Sequence, residues 1–205
     1  MYLDKTGDTP AENLALDEQL LEECERTGVP VLRTWESSDY FVVLGCSNKV
    51  ETEVDVAACQ QDHIPVFTRC SGGGTVLQGP GCLNFAWIHP LEGNYATISS
   101  TTMFIMEKHK QAFSELLEDV DVQGISDLTW KGLKFSGNAQ RRKYKAMLFH
   151  GTVLYRFDLE RIARYLKRPS KQPEYRQNRD HLRFVTNIPL TQDQVKMRLR
   201  EAWKQ

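Results

Sequence analysis

Residues 69–76 read RCSGGGTV, from Arg69 to Val76. Three successive glycines stand between two strand-like runs, Val66–Thr68 and Thr75–Leu77. Glycine weakens a strand and is entropically costly to order, so a triplet marks a bulge, a turn or a close approach to the backbone. The stretch is not a nucleotide P-loop: GxxxxGK[ST] needs a lysine after the glycines and opens a helix, whereas Thr75-Val76-Leu77 is β-like. The GxGxxG spacing also fails, because the last position falls on Leu77 counted from Gly72 and on Asn84 counted from Gly79. Two readings stay open: a glycine-rich hairpin, or bare main chain lying along an elongated or phosphorylated ligand.

Working outward, residues Ala11 to Arg26 show helical periodicity, with Leu14, Leu16, Leu20 and Leu21 expected to face a core, Thr9-Pro10 as a start and Gly28 as a stop. Val31 to Trp35 and Tyr40 to Leu44 read as strands, Val54 to Gln61 as a short helix, and Leu83 to Ile88 as a strand after the glycine loop. Thr101 to Leu117 reads as a longer helix whose Met106, Phe113 and Leu117 share a face. Further strands are expected at 120–122, 134–136 and 147–155, and helices at 159–166 and 192–203. A basic loop fills 168–182. Strands joined by short turns and interrupted irregularly by helices predict an α/β (α+β) fold, a mixed, mostly antiparallel sheet with packed helices, in one domain over residues 1–205.

The chain is long enough to bury a core without disulfides. No apolar run approaches the roughly 20 residues that span a bilayer, and the first ten residues lack a signal-peptide pattern, which predicts a cytoplasmic protein without membrane attachment. Five cysteines, an odd number without a CxxC pair, argue against a disulfide framework or structural zinc and predict mostly reduced, buried thiols. The net charge of −1 hides a division: residues 1–130 carry seven basic and 21 acidic side chains, net −14, and residues 131–205 carry 19 and six, net +13. The basic part either meets an anionic partner or pairs with the acidic part.

A second signal follows at Lys131 to Gly137, KGLKFSG, and a third at His150-Gly151-Thr152. Strand alternation places Lys134 opposite Leu133 and Phe135, so it faces either solvent or a pocket. A pocket lysine is a point charge suited to phosphate or carboxylate.

These blocks together resemble the lipoate–protein ligase family, which shares its fold with biotin–protein ligases. Arg69, Ser71, Gly72, Gly73 and Gly74 are similar to its Arg-x-Ser-Gly-Gly-Gly loop, continued by Thr75 and Val76, with Asn84 in the following GxLN. Lys134, Ser136, Gly137 and Ala139 resemble its Lys-x-Ser-Gly-x-Ala block, His150, Gly151 and Thr152 its His-Gly-Thr strand, and Arg183 to Asn187 its Arg-x-Val-Thr-Asn segment. The matches run in order from about residue 65 to residue 188. Two departures stand out: Gln78-Gly79 replaces a common His-Asp, and Cys82 stands where Asn is common.

The resemblance implies activation of lipoate or octanoate with ATP and Mg²⁺ to an acyl-adenylate, then transfer to one lysine of a lipoyl carrier domain. It implies that the glycine loop lies along the acyl-adenylate, that Lys134 holds the reacting oxygens, and that Asp127 is placed near the nucleotide, for a contact with Mg²⁺ or ribose; a plain surface-turn Asp stays open as its other reading. Positive charge there would stabilise charge developing in adenylation and aminolysis, so placement and electrostatics carry the catalysis. Lipoyl carrier domains, such as those of 2-oxoacid dehydrogenase E2 or the glycine cleavage H protein, are usually acidic, so Arg141 and Arg142, with Lys143 and Lys145, are docking candidates. The chain ends before the accessory domain of longer ligases, which points to a separate accessory-domain protein or to independent activity.

Two other functions compete. Octanoyltransferases of the same fold take the acyl group from acyl carrier protein through a cysteine thioester without ATP; Cys70 and Cys82 flank the expected pocket. A non-catalytic RNA- or carrier-binding module is the third reading, from Tyr144, Tyr155, Tyr165 and Tyr175 among basic residues; without a recognition-module motif, nucleic acid is the weaker partner. His63, His89, His109 and His181 lack metal-ligand spacing, and His150 is expected at the core or the pocket wall.

Overall fold

A computed structural model describes residues 1–169 and 171–203. In chain order the elements are β1 (Tyr2–Asp4), α1 (Pro10–Thr27), β2 (Val31–Trp35), β3 (Phe41–Leu44), α2 (Val50–Glu53), α3 (Val56–Gln61), β4 (Val66–Thr68), β5 (Val76–Gln78) and β6 (Cys82–Pro90). They continue with α4 (Ile98–Ser114), β7 (Val120–Gln123), β8 (Asp127–Trp130), β9 (Leu133–Arg142), β10 (Ala146–Leu154), α5 (Leu159–Tyr165) and α6 (Gln192–Ala202). Seven strands form one sheet in the order β1-β2-β6-β10-β9-β8-β7, and β4-β3-β5 form a second. Within the large sheet only β1–β2 is parallel. The expected mixed, mostly antiparallel sheet with packed helices is the observed architecture.

Alternation along β6 builds two cores. Leu83, Phe85 and Trp87 face one side and join Ile105, Met106 and Phe113 of α4 and Val195 and Leu199 of α6. Ala86 and Ile88 face the other side and join Leu21 and Cys24 of α1. Each face of the sheet is thereby covered by helix, as a two-sided apolar sheet requires. The small sheet packs on α3 and α5 through residues such as Val42, Leu77 and Ile162.

Three local expectations are corrected. The helix expected over 54–61 starts two residues later, at Val56, because fully buried Val54 makes an isolated bridge to Leu166 and Asp55 then caps α3 by accepting from the Ala58 N–H. The buried stripe of α1 is Asn13, Asp17, Leu21 and Cys24 rather than a run of leucines. Its polar half exists because Arg33 on β2, 0% exposed, donates to Asp17 Oδ1 and Asn13 Oδ1, each at 2.6 Å. The segment read as a plain loop over 168–182 carries a 3₁₀ turn at Glu174–Arg176; Ser170 lies outside the described residues.

Part of the charge division is internal. Five ion pairs among the described residues join the acidic first part to the basic last part: Asp127–Lys134, Glu22–Lys143, Asp62–Arg164, Asp4–Lys196 and Glu115–Arg198. The more exposed of these pairs add little stability. No helix among the described residues is long and apolar enough to cross a membrane.

Candidate active site

Register assembles the site. Trp35 of β2 pairs with Asn84 of β6, Asn84 with Thr152 of β10, Thr152 with Gly137 of β9, and Gly137 with Asp127 of β8. Directly paired residues share a face, so these five line one row across five strands. The neighbouring row is Ala86, His150 and Ala139. Asp127 therefore lies on a strand, not in a surface turn.

Lys134 joins this row through a bulge. Leu128 pairs with Ser136 but Thr129 pairs with Lys134, leaving Phe135 as the extra residue. A bulge re-aims the side chains around it. Phe135 goes to the core, and the Lys134 ammonium passes over Gly137 to Asp127 Oδ1 at 2.8 Å. Asp127 Oδ2 accepts from the Tyr175 hydroxyl at 2.7 Å. Lys134 borders two spaces: a narrow passage of about 80 Å³ with a mixed lining that includes Leu14, Trp35 and Val76 as well as Gln78 and Asn84, and a wider, mainly apolar cavity of about 560 Å³ under residues 171–185. Pocket-facing, not solvent-facing, is thus the observed orientation.

Gly72 and Gly73, expected along the ligand, line neither space, and Gly74 alone of the three borders the wide cavity at the end of the glycine loop. Arg69 fixes its shape: Nε donates to Ser71 Oγ at 2.9 Å, and Nη2 donates to the carbonyls of Gly72 and Gly74 at 2.6 and 2.8 Å. Burial pushes the Arg69 pKa down to about 10, which leaves it charged at neutral pH. Asn48 donates to the Gly73 carbonyl and to Thr75 Oγ1. A β-carbon at Gly72 or Gly74 would meet nothing within 4 Å, whereas Gly73 holds φ +89° and would press on Arg69. The open side of Gly72 and Gly74 is space that the protein's own packing leaves unfilled. Gly45 and Asn48 escaped the sequence reading: a β-carbon at Gly45 would collide with the Gly73 carbonyl. The one signal for them was a second glycine at the end of a strand, Leu44-Gly45.

His150 Nε2 lies 2.6 Å from Ser71 Oγ, and its Nδ1 lies 3.8 Å from Asp17 Oδ2. The residue types resemble a nucleophilic triad, but the geometry does not make one. Ser71 is 1% exposed and its Oγ already accepts from Arg69, while Asp17 is held by Arg33. The set is a brace that ties the glycine loop to β10 and α1. His150 is therefore a pocket wall, as expected. Asp17 and Arg33 lie too far apart in sequence for any local pattern to flag.

Of the remaining expected residues, Val76, Ala139 and Gly151 line the narrow passage and Thr75 the wide cavity. Ser136 is buried beside the wide cavity and takes the Asn138 amide at 3.3 Å. The two arginines separate. Arg141 is exposed and acts electrostatically on Cys70 beside the glycine loop. Arg142 turns the other way, its Nη2 donating to the carbonyls of Tyr95 and Ala96 at 2.8 and 2.7 Å. Adjacent strand residues face opposite sides, so the pair does not form one basic patch.

All five cysteines are free; Cys24, Cys59 and Cys82 are buried, Cys70 is partly buried and Cys46 is exposed. Burial pushes the Cys70 thiol up to about 11 and the Cys82 thiol higher still. Neither is a poised thiolate. No three His, Cys, Asp or Glu side chains converge among the described residues. Asp127, Glu53 and Glu174 are carboxylates bordering the wide cavity. That set suits Mg²⁺ carried mainly by substrate phosphates, not a protein cage.

The lipoyl protein ligase A/B catalytic domain profile matches residues 9–203. The putative lipoate-protein ligase A of Aeropyrum pernix is 31% identical over 168 residues, covering 80% of this chain and 61% of that protein. The probable lipoate-protein ligase A of Mycoplasma pneumoniae is also 31% identical, but this chain covers 46% of its length. The octanoyltransferase LipM of Carboxydothermus hydrogenoformans is 27% identical over 198 residues, with coverages of 85% and 72%. Among solved structures, a bi-partite lipoate protein ligase studied with its E2 lipoyl domain from Thermoplasma acidophilum superposes with a TM-score of 0.84 at 23% identity, over 98% of this chain and 80% of that one. A lipoate-protein ligase A bound with ATP gives a TM-score of 0.80 at 24% identity, over 98% and 83%. The chain spans only part of the length of its ligase relatives, and with the profile covering nearly all of it, it belongs to the lipoyl protein ligase A/B catalytic-domain family.

Proposed function

We propose that the protein is an ATP-dependent lipoate–protein ligase that forms an acyl-adenylate from lipoate or octanoate and passes the acyl group to a lysine of an acidic lipoyl carrier domain. The observation that carries this reading is the position of Lys134. Its ammonium stands where the narrow passage meets the wide cavity, which Gly74 also borders. An acyl chain along the apolar part of the passage, past Leu14, Trp35 and Val76, and a nucleotide in the wider cavity would bring the carboxylate and the α-phosphate together at Lys134. A fixed cation there stabilises the charge that builds on both groups. Asp127 steadies that cation and is the carboxylate that would contact Mg²⁺ or ribose. ATP in a fold neighbour supports the nucleotide, and the E2 lipoyl domain of another supports the carrier. Exposed Arg141 is the docking contact retained; Arg142 serves the fold. A separate accessory-domain chain stays part of the proposal, as does a cytoplasmic location.

Octanoyl transfer is the second reading, favoured by the LipM relative. The test incubates the chain with a lipoyl carrier domain and lipoate, with and without ATP, and weighs the carrier by mass spectrometry. ATP-dependent mass gain is expected. Gain from octanoyl acyl carrier protein without ATP would replace ligation with transfer. A repeat with an added accessory-domain protein tests the partner requirement.

A further inference from the structure

Residues 171–186 are tied to Lys134 twice. At the foot, the Lys134 N–H donates to the Phe184 carbonyl at 2.9 Å, and the Thr186 N–H donates to the Lys134 carbonyl at 2.8 Å. In the middle, the Tyr175 hydroxyl donates to Asp127 Oδ2, whose partner oxygen holds the Lys134 ammonium. The Tyr175 ring rests against Phe184, with centroids 5.2 Å apart. It also sits on the β7–β8 turn, where a β-carbon at Gly124 would stand 3.3 Å from Tyr175 Cε1. Burial, then the Asp127 charge, push the Tyr175 phenol well above its ordinary range, so it stays a donor.

The Asp127 side chain is 14% exposed. A carboxylate this buried is costly to leave without a cation or a donor. When a substrate anion draws the Lys134 ammonium away, Asp127 loses its cation and keeps the Tyr175 hydroxyl. We infer that Tyr175 is a positioning residue, coupling the cavity-covering segment to the Lys134 ammonium through Asp127 and letting that ammonium turn to a substrate anion without stranding the carboxylate. The identity of the anion as lipoate rests on the ligase reading; the coupling itself rests on the contacts.

Tyr175→Phe keeps the ring and removes the hydroxyl. Calorimetric titration with lipoate is expected to show affinity about tenfold weaker than wild type. In an Asp127→Asn background the same substitution is expected to change affinity by less than about twofold, because no charge is left to strand. Equal loss in both backgrounds overturns the inference. A wild-type chain that binds no lipoate sinks the ligase reading, and hydrogen exchange without ligand then decides the coupling alone. Faster exchange of amides 171–180 in both Tyr175→Phe and Asp127→Asn supports it, and wild-type exchange in either variant overturns it.

Discussion

A β-carbon on Gly137 would stand 2.7 Å from the ammonium nitrogen of Lys134, so the lysine occupies space that only glycine leaves open. The obstacle is the far end of a flexible side chain, which can swing away at small cost to folding. Gly137→Ala is therefore expected to fold with nearly unchanged melting temperature while displacing the ammonium from Asp127. Lipoate-driven pyrophosphate exchange should fall at least about tenfold, toward the level of Lys134→Ala, as expected when a charge that stabilises the transition state is misplaced. Full exchange activity in either variant would remove Lys134 from the chemistry.

The glycine loop separates folding from binding in the same way. Gly45→Ala drives a side chain into the Gly73 backbone, which cannot give, and overpacking of this kind costs about 1–3 kcal/mol. A fall in melting temperature of roughly 5 °C is the expected readout. Gly74→Ala projects into open space beside the wide cavity, so stability is expected to hold while ATP affinity drops; unchanged affinity would mean that the nucleotide does not run along this edge. Gly73 is the poorer probe, because its φ of +89° strains any replacement whether or not ligand passes there.

What was legible beforehand follows from the range of the forces involved. The strands beside the glycine loop announced themselves by alternation and punctuation, and α1 and α4 by period. β1 and β8 did not: each is short and carries an aspartate, a residue that strands disfavour. Lys134 was readable as an alternating lysine, but the bulge that aims it depends on pairing with β8, which local sequence does not record. Asp17, Arg33 and Tyr175 were invisible for a stronger reason. Each acquires its role from a partner far along the chain: Arg33 lies 16 residues from Asp17, and Tyr175 lies 48 from Asp127.

The separation of Arg141 from Arg142 gives opposite expectations for neighbouring residues. Arg141→Glu is expected to slow acylation of the carrier domain and to leave lipoate-driven pyrophosphate exchange unchanged, with the difference shrinking at high salt as an electrostatic contact should. Arg142→Ala strips charge-assisted bonds from the Tyr95 and Ala96 carbonyls and is expected to lower stability by about 1–3 kcal/mol. Equal effects of Arg141→Glu on both partial reactions would remove its docking role.

His109 predicts the acid behaviour of the fold. It is 0% exposed between Phe85 and Trp203, with neither ring nitrogen bonded, and burial pushes its pKa down to about 3. A histidine that stays neutral when folded but takes a proton when unfolded makes the unfolded state bind more protons. Stability then rises with pH through this window and is lost progressively as pH falls below about 6.5. The loss amounts to about 1.4 kcal/mol per pH unit for this one group, until the folded pKa is approached. His109→Phe removes the group while keeping an aromatic ring between the same neighbours. Thermal melts at pH 7.5 and 5.5 are expected to show a smaller acid-induced drop in the variant than in the wild type, by roughly 2–5 °C. Carboxylates titrate alike in both proteins, so parallel drops would mean that His109 accepts its proton without leaving the core.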